Sequence, residues 1–398
     1  MSSIRVQHQA GLKSNNCRIV LRLLRDNRHK MISRADLAKE TEMSPTSITR
    51  LIRQLLDLDL VCQNEAFSKG TGVGRNGIQV SINPDAFYSM GLSIDSDYVK
   101  VCIINCVDEV LAETEEALEE RYYDPAELLK KAKDMLDHLI LRYHIRRDKV
   151  QALGVACVGN VDHVRGYSHF ASQMGWHDVD LALLVYQVFG MDACIDNDVK
   201  MALIGATYQF AHMRNSDSVY VSIGAGVGAS IMYDGKMVRG RNNAVGEVGH
   251  THFADEGRQC VCGRKDCAYT YISTPALLEM CKKCGHPMDN LEALAKAIDA
   301  GEGWTRPIID QYTKYLSIFI ADMVYIYNPE YLLVGGELIT SHPVFFEQMQ
   351  SKVQESIIHD NLASKVVIKK RELKNNAALG AACAANEQHV LQIIESYE

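Results

Sequence analysis

A histidine and three cysteines, His250, Cys260, Cys262 and Cys267, crowd one short polar segment, and no other stretch of the chain restricts its folding so tightly. One imidazole and three thiolates satisfy tetrahedral Zn2+, and a closed Cys3His set leaves no open position for a catalytic water. The ion expected there is structural. It folds a loop too polar to organise itself and holds Glu247 and His250 of the run Gly246-Glu247-Val248-Gly249-His250 in place. Cys281 and Cys284, with His286 beyond them, have no second ligand pair and read as ordinary thiols at a helix end.

A chain of 398 residues exceeds one ordinary core, and its 47% hydrophobic and 23% charged composition is that of a folded multidomain protein. Residues 1–16 lack an apolar signal core, and no run reaches the ~18 uncharged apolar residues of a membrane span. A cytoplasmic protein is expected, its 12 cysteines reduced or metal-bound. The net charge of −8 speaks against nucleic acid as a partner of the whole, but it is unevenly spread. Residues 1–83 hold 13 Lys and Arg against 7 Asp and Glu, a net +6, which leaves −14 on the rest. A basic head on an acidic body is the asymmetry of a protein whose head alone meets DNA phosphate.

From Asn16 onward Ile19, Val20, Leu23 and Leu24 recur at helical spacing until Asp26. Ser33 opens a second helix, and Asp36, three residues on, completes a capping-box-like pair. Ser44 caps a third, with Pro45 at its first position. In that third helix Ile48, Leu51, Ile52 and Leu55 fall on the face to be buried, and Thr46, Ser47, Arg50 and Arg53 on the other. The hydroxyls of Ser44, Thr46 and Ser47 at the helix start suit phosphate, and the arginines further along suit guanine edges in a major groove. Two short strands, at 60–62 and at Ile78, Val80 and Ile82, flank the glycine-rich segment 69–77 and predict a wing whose Lys69 and Arg75 reach phosphate or the minor groove. A nucleotide phosphate loop is the competing reading of that tip, but no helix with Lys-Ser/Thr follows it. Residues 1–83 are expected to form a winged helix-turn-helix that binds double-stranded DNA.

In the acidic body an apolar, β-branched run from Met90 suits a strand hairpin, and a helix follows near 125–141. Further strand-like runs occupy 150–158, end at Asp196-Asn197-Asp198, and fill 219–223 before Gly224-Ala225-Gly226-Val227-Gly228. Strands alternating with helices predict an α/β fold with a largely parallel or mixed sheet, and ligands bind just beyond strand ends in such sheets.

These motifs, in this order, resemble the ROK family of repressors, open reading frames and sugar kinases. The resemblance is carried by the head, Gly154 to Asp162, Gly175-Trp176, Asp196-Asn197-Asp198, the glycine runs at 224–228 and 246–250, the cysteine cluster, Asn328-Pro329-Glu330 with Val334-Gly335-Gly336, and Ala378-Leu379-Gly380-Ala381. It covers nearly the whole chain, and the family's repressors of xylose, glucose-uptake and N-acetylglucosamine genes carry a similar head. It implies a two-lobed, actin-like ATPase or ribonuclease-H-like sugar-kinase fold over residues 84–398, and a homodimer or dimer of dimers on a palindromic operator. It also implies Asn197, Asp198, Glu247 and His250 as sugar contacts, with Asp198 in the place of the kinases' general base.

Three departures from the family's kinases separate a sensor from an enzyme. Their Asp-x-Gly-Gly-Thr loop holds ATP phosphates and magnesium; Ser93-Ile94-Asp95-Ser96-Asp97 stands in its place, and two acids would repel ATP. Ala225 replaces the hydroxyl of a second phosphate loop, and phosphoryl transfer depends almost wholly on such positioning. A glutamate two places after the last zinc cysteine is here Tyr269. The expectation is a non-enzymatic, nucleoid-associated repressor of carbohydrate-utilisation genes, released or modulated by a sugar or sugar phosphate. One rival is an active carbohydrate kinase with a DNA-binding extension. Another is a sugar-blind repressor controlled by a protein on the acidic body, to which the Tyr269 change points.

Overall fold

A computed structural model of the chain describes residues 9–28, 30–65, 78–119, 122–171, 173–210, 213–357, 366–371 and 373–397. The head contains α1 (Gln9–Asp26), β1 (Ile32–Ser33), α2 (Arg34–Thr41), α3 (Pro45–Asp57), β2 (Val61–Glu65) and β3 (Ile78–Ile82), with the strands in an antiparallel sheet of order β1-β3-β2. Ser33 and Ser44 cap α2 and α3, their hydroxyls accepting the amides of Asp36 and Ser47 at 3.1 Å. The Ser33–Asp36 box closes differently from the expected reciprocal pair, because the Ser33 hydroxyl donates to the Asp36 carboxylate at 2.6 Å. Helix α1 begins well before Asn16; Val20 and Leu24 are buried as their spacing requires and Leu23 packs against the same core, joined by Cys17 and Leu21, while Ile19 is exposed. The wing tip with Lys69 and Arg75 lies outside the described residues.

The body opens with β4 (Tyr88–Ile94), β5 (Tyr98–Asn105), β6 (Val110–Ala117), α4 (Pro125–Arg142) and β7 (Val150–Cys157). A small sheet of β8 (Asn160–Asp162), β9 (Tyr167–Ala171) and β10 (Trp176–Asp180) follows, then α5 (Leu181–Phe189), β11 (Cys194–Asn197) and α6 (Asp198–Gln209). The second lobe contains β12 (Ser218–Ile223), β13 (Val227–Tyr233), β14 (Lys236–Met237), α7 (Tyr269–Ile272), α8 (Thr274–Lys283), α9 (Leu291–Asp299) and α10 (Thr305–Tyr327). It ends with β15 (Tyr331–Gly335), α11 (Glu337–Ser341), α12 (Pro343–Ser356), β16 (Val367–Lys370) and α13 (Leu373–Ser396).

The two five-stranded sheets have the same plan. In order β11-β7-β4-β5-β6 and β14-β13-β12-β15-β16, each is an antiparallel meander whose first strand, β4 or β12, also pairs in parallel with a later one. This repeated lobe is the ribonuclease-H-like arrangement. Strands β5 and β12 are buried at every position, which explains apolar runs without alternation. Helices α6 and α13 lie together between the lobes, and their cluster joins Ala156, Met201 and Ala381 to Tyr220, Met232 and Leu333 of the second sheet. Gly154 permits this approach, since a Cβ there would stand 1.9 Å from the Ala381 carbonyl oxygen. The far end of α13 enters the head core, where Val390 and Ile394 pack with Val20, Leu24 and Leu55. No helix among the described residues is long and apolar enough to cross a membrane.

Candidate functional site

Asn197 closes β11 and caps α6, which begins with Asp198. Its Oδ1 accepts the amides of Val199 and Lys200 at 3.0 and 3.3 Å, and its Nδ2 donates to the Gly159 carbonyl at 3.0 Å and to Asp198 Oδ1 at 2.9 Å. Both amide protons and the carbonyl oxygen are thus engaged within the protein, so Asn197 orients Asp198 as well as edging the cleft. Asp198 is buried, and that burial, reinforced by the charge of Asp95, pushes its carboxyl up to about 8.

Around this pair lies a network that sequence reading missed. Asp196 Oδ1 accepts the Asn197 amide at 2.8 Å and the Asn243 side-chain amide at 2.9 Å, and Arg239 pairs with its other oxygen. Asn243 Nδ2 also donates to the Val161 carbonyl at 2.8 Å, and the buried Lys200 ammonium donates to the Asn243 carbonyl at 2.8 Å. Arg239 and Asn243 belong to the second lobe and Asp196 to the first, so the lobes are latched beside Asp198. The carboxylates of Asp196, Glu247 and Asp198 all favour the charged form of Lys200, while burial, the largest influence, lowers its pKa.

Glu247 and His250 flank a short 3-10 turn fixed by Gly246, whose φ is +107° and whose Cβ, were there one, would stand 1.8 Å from the Ala229 carbonyl oxygen. Beside it the ligand atoms of His250, Cys260, Cys262 and Cys267 lie within 4.8 Å of one another. Cys260 Sγ is 3.7 Å from His250 Nδ1, and Cys262 Sγ is 3.7 Å from Cys267 Sγ. A tetrahedron with ~2.3 Å metal–sulfur bonds has edges of roughly 3.8 Å, so the donor set fits one ion. Tyr269 is half-buried with its ring centroid 6.4 Å from that of His250, at the edge of the same site. Cys281 is buried and Cys284 exposed, and no other metal-ligating group of three appears among the described residues.

The two loops that stand in the place of the family kinases' phosphate loops are chemically different. The turn between β4 and β5 presents no free cradle at Ser96: its amide donates to Asp95 Oδ1 at 2.6 Å and its hydroxyl to the same oxygen at 3.3 Å. Ser93 is buried with its hydroxyl 3.3 Å from the Tyr98 hydroxyl. In the second lobe Glu337, at the start of α11, faces Gly224: a Cβ on that glycine would stand 3.7 Å from Glu337 Oε2. Glu337 escaped sequence reading because more than a hundred residues separate it from the loop it faces.

On the head Ser44, Thr46, Ser47, Arg50 and Arg53 are all exposed. Pro45, Thr46, Thr49, Arg50 and Arg53 line one shallow groove of about 490 Å³ along α3. Thr49 is an addition to the expected set, although its hydroxyl already donates to the Pro45 carbonyl at 2.9 Å. Ser44 and Ser47 share a hydroxyl–hydroxyl contact at 2.9 Å in addition to the cap.

The pattern of the ROK family matches residues 90–388. The xylose repressor of Caldicellulosiruptor bescii is 26% identical over 382 residues, which cover 92% of this chain and 94% of that protein. The crystal structure of a ROK family transcriptional regulator, a homologue of the Escherichia coli Mlc protein, superposes with a TM-score of 0.78 at 22% identity, covering 97% of this chain and 99% of that one. The ROK hexokinase from Thermus thermophilus gives a TM-score of 0.64 at 19% identity and covers 76% of this chain and 99% of its own. The two-lobed kinase-like body is therefore shared with an enzyme and a regulator alike, and the chain belongs to the ROK family.

Proposed function

We propose that the protein is a DNA-binding transcriptional repressor of carbohydrate-utilisation genes that responds to a sugar or sugar phosphate and does not phosphorylate it. The observation that carries this reading is the turn at Ser96, where the Asp95 carboxylate already occupies the backbone amide that a phosphate would need. With Glu337 beside Gly224, two of the places where a kinase gathers phosphate hold carboxylates, and a polyanion is repelled. The hydroxyl-binding side keeps Asp198, Glu247 and His250, with Asn197, its amide engaged, holding Asp198 in place. Carboxylates and an imidazole beside a buried ammonium suit vicinal hydroxyls, which both donate and accept.

Residues 1–83 serve as the winged helix-turn-helix and residues 84–398 as the sensor. Ser44, Thr46, Ser47, Arg50 and Arg53 face the major groove, and Lys69 and Arg75 extend from the wing. A homodimer presents two heads to a palindromic operator at half-site spacing, which places the protein on the nucleoid. His250, Cys260, Cys262 and Cys267 hold a structural Zn2+. The ion cross-links the loop, and with Nδ1 turned toward the sulfurs the His250 Nε2 is left for a sugar hydroxyl.

Thermal-shift screening against mono- and disaccharides and their phosphates, followed by electrophoretic shifts on DNA selected from a random pool, tests the proposal. A sugar that raises Tm and alters DNA affinity supports it. Sugar-dependent ADP release at ordinary kinase rates, ~1 to 100 per second, contradicts it.

A further inference from the structure

Helix α6 begins at the sugar-facing Asp198 and spans twelve residues, ~18 Å at 1.5 Å per residue. Just beyond its other end comes Arg214, which leads into β12 of the second lobe. The Arg214 main chain runs close to the β13–β14 turn of the second lobe, where its carbonyl oxygen would stand 2.8 Å from a Cβ on Gly235. Its guanidinium forks. Nη1 donates to Asp26 Oδ1 at 2.7 Å, on the last turn of α1 in the head, while Nη2 donates to the Tyr208 carbonyl of α6 at 3.4 Å and faces Asp108 Oδ2, in the β5–β6 turn of the first lobe, as an ion pair at 3.5 Å. Arg25, the neighbour of Asp26, approaches the same Asp108 oxygen from the head side at 3.4 Å. Asn386 of α13 donates to Asp108 Oδ1 at 2.8 Å.

Side-chain exposures of 2% for Asp108, 7% for Arg214 and 11% for Arg25 bury the centre of this cluster, with Asp26 at its edge, 30% exposed. A buried ion network is a poor source of stability, because desolvation offsets most of the attraction, but it defines one relative placement of the parts that supply it. The parts here are the head, both lobes and α13. Each neighbouring contact repeats the theme: Arg28 donates to the Val107 carbonyl at 3.1 Å, Arg18 pairs with Glu387 at 3.2 Å, and Tyr208 of α6 donates to Glu387 at 2.8 Å.

We infer that Arg214 is a positioning residue that transmits sugar occupancy at the start of α6 to the DNA-binding head, by holding Asp26 of the head and Asp108 of the first lobe with one guanidinium. Any shift of the second lobe against the first, as on closure around a ligand, moves Arg214 relative to Asp108. The head follows through Asp26. This inference rests on the sugar-responsive repressor reading and adds the route of the response.

The test uses the full-length chain, a DNA duplex selected from a random pool by the wild type, and D-xylose, D-glucose, N-acetyl-D-glucosamine and D-glucose 6-phosphate as probes. Three quantities are read for each variant: DNA affinity without sugar, the Tm rise with sugar, and DNA affinity with saturating sugar. In the wild type the effective sugar changes DNA affinity by roughly 5- to 150-fold, the usual range of coupling. Arg214→Gln is expected to keep the Tm rise and sugar-free DNA binding while the sugar effect falls below about twofold, with Arg214→Lys, which keeps the charge but not the fork, in between. Asp26→Ala removes the acceptor and so cuts the head arm alone, and it is expected to reproduce the loss even if Arg214→Gln does not fold. A responsive wild type with Asp26→Ala and Arg214→Gln responding equally well overturns this inference alone. A wild type deaf to every probe overturns it together with the proposed function.

Discussion

Asn197 donates its side-chain amide to the Asp198 carboxylate at 2.9 Å and caps the helix that Asp198 begins. The carboxylate is thereby held in a buried position next to Asp95, and its pKa rises to about 8. A carboxyl raised in the native state binds a proton that the unfolded chain, titrating near ~3.9, has lost. Its contribution to stability is therefore fully present below pH ~4 and is lost as pH rises toward 8. Asp198→Asn keeps a neutral side chain, so its Tm is expected to vary less with pH between 5 and 8 and to exceed that of the wild type at pH 8. Parallel Tm profiles for the two proteins would show that Asp198 does not titrate in this window.

The same residues show how far sequence could lead. The third helix was legible because everything that makes it is local: Ser44 caps it, Pro45 starts it, and Ile48, Leu51, Ile52 and Leu55 are buried as their spacing requires. The cysteine cluster was legible for the same reason, its ligands being neighbours in the chain. Helix α1 starts several residues before its apolar period because its polar first turns carry none, and within that period Val20, Leu23 and Leu24 face the core while Ile19 does not. The latch of Asp196 by Arg239 and Asn243 and the Asp108 cluster join residues dozens to more than a hundred positions apart. Nothing local marks such pairs. Nor could spacing reveal that Asn197, expected as a sugar contact, has its amide already engaged in capping and in orienting Asp198.

Removing the metal is expected to loosen the second-lobe wall of the cleft. An ion bound at a thousand times its dissociation constant adds about 4 kcal/mol, or roughly 10 °C in Tm for a domain this large. Chelation should release one Zn2+ per chain and lower Tm by about that amount, and Cys267→Ser should do the same while abolishing the sugar-induced Tm rise. Metal analysis that finds no stoichiometric zinc in freshly purified protein would refute this.

At the nucleotide side, MgATP is expected to leave the wild-type Tm unchanged. Replacing the two intruding acids in a double variant, Asp95→Gly with Glu337→Gly, frees the Ser96 amide and removes repulsion at Gly224. A Tm rise with MgATP should appear in that variant only. A comparable rise in the wild type would mean that the acids do not exclude nucleotide.

Along α3, Arg50 and Arg53 share a groove with Thr46. Arg50→Ala is expected to cost ~1 to 3 kcal/mol of DNA binding if the arginine reads a base, with relaxed preference at one position. Arg53→Ala, if its contact is to phosphate, should weaken all sequences alike and reduce the salt slope by about one. Binding selections and salt titrations on both variants distinguish these outcomes from an α3 that does not touch DNA, for which neither affinity would change.

A sugar alone, without phosphoryl transfer, is expected to alter DNA binding. The decisive experiment titrates selected DNA with the full-length protein at fixed salt, with and without saturating sugar, in nucleotide-free buffer, and then assays the same samples with MgATP for ADP. The predicted result is a shift in DNA affinity of at least about fivefold with sugar alone and no ADP above background. DNA affinity indifferent to every sugar that raises Tm, or ADP formed in proportion to sugar, would contradict it.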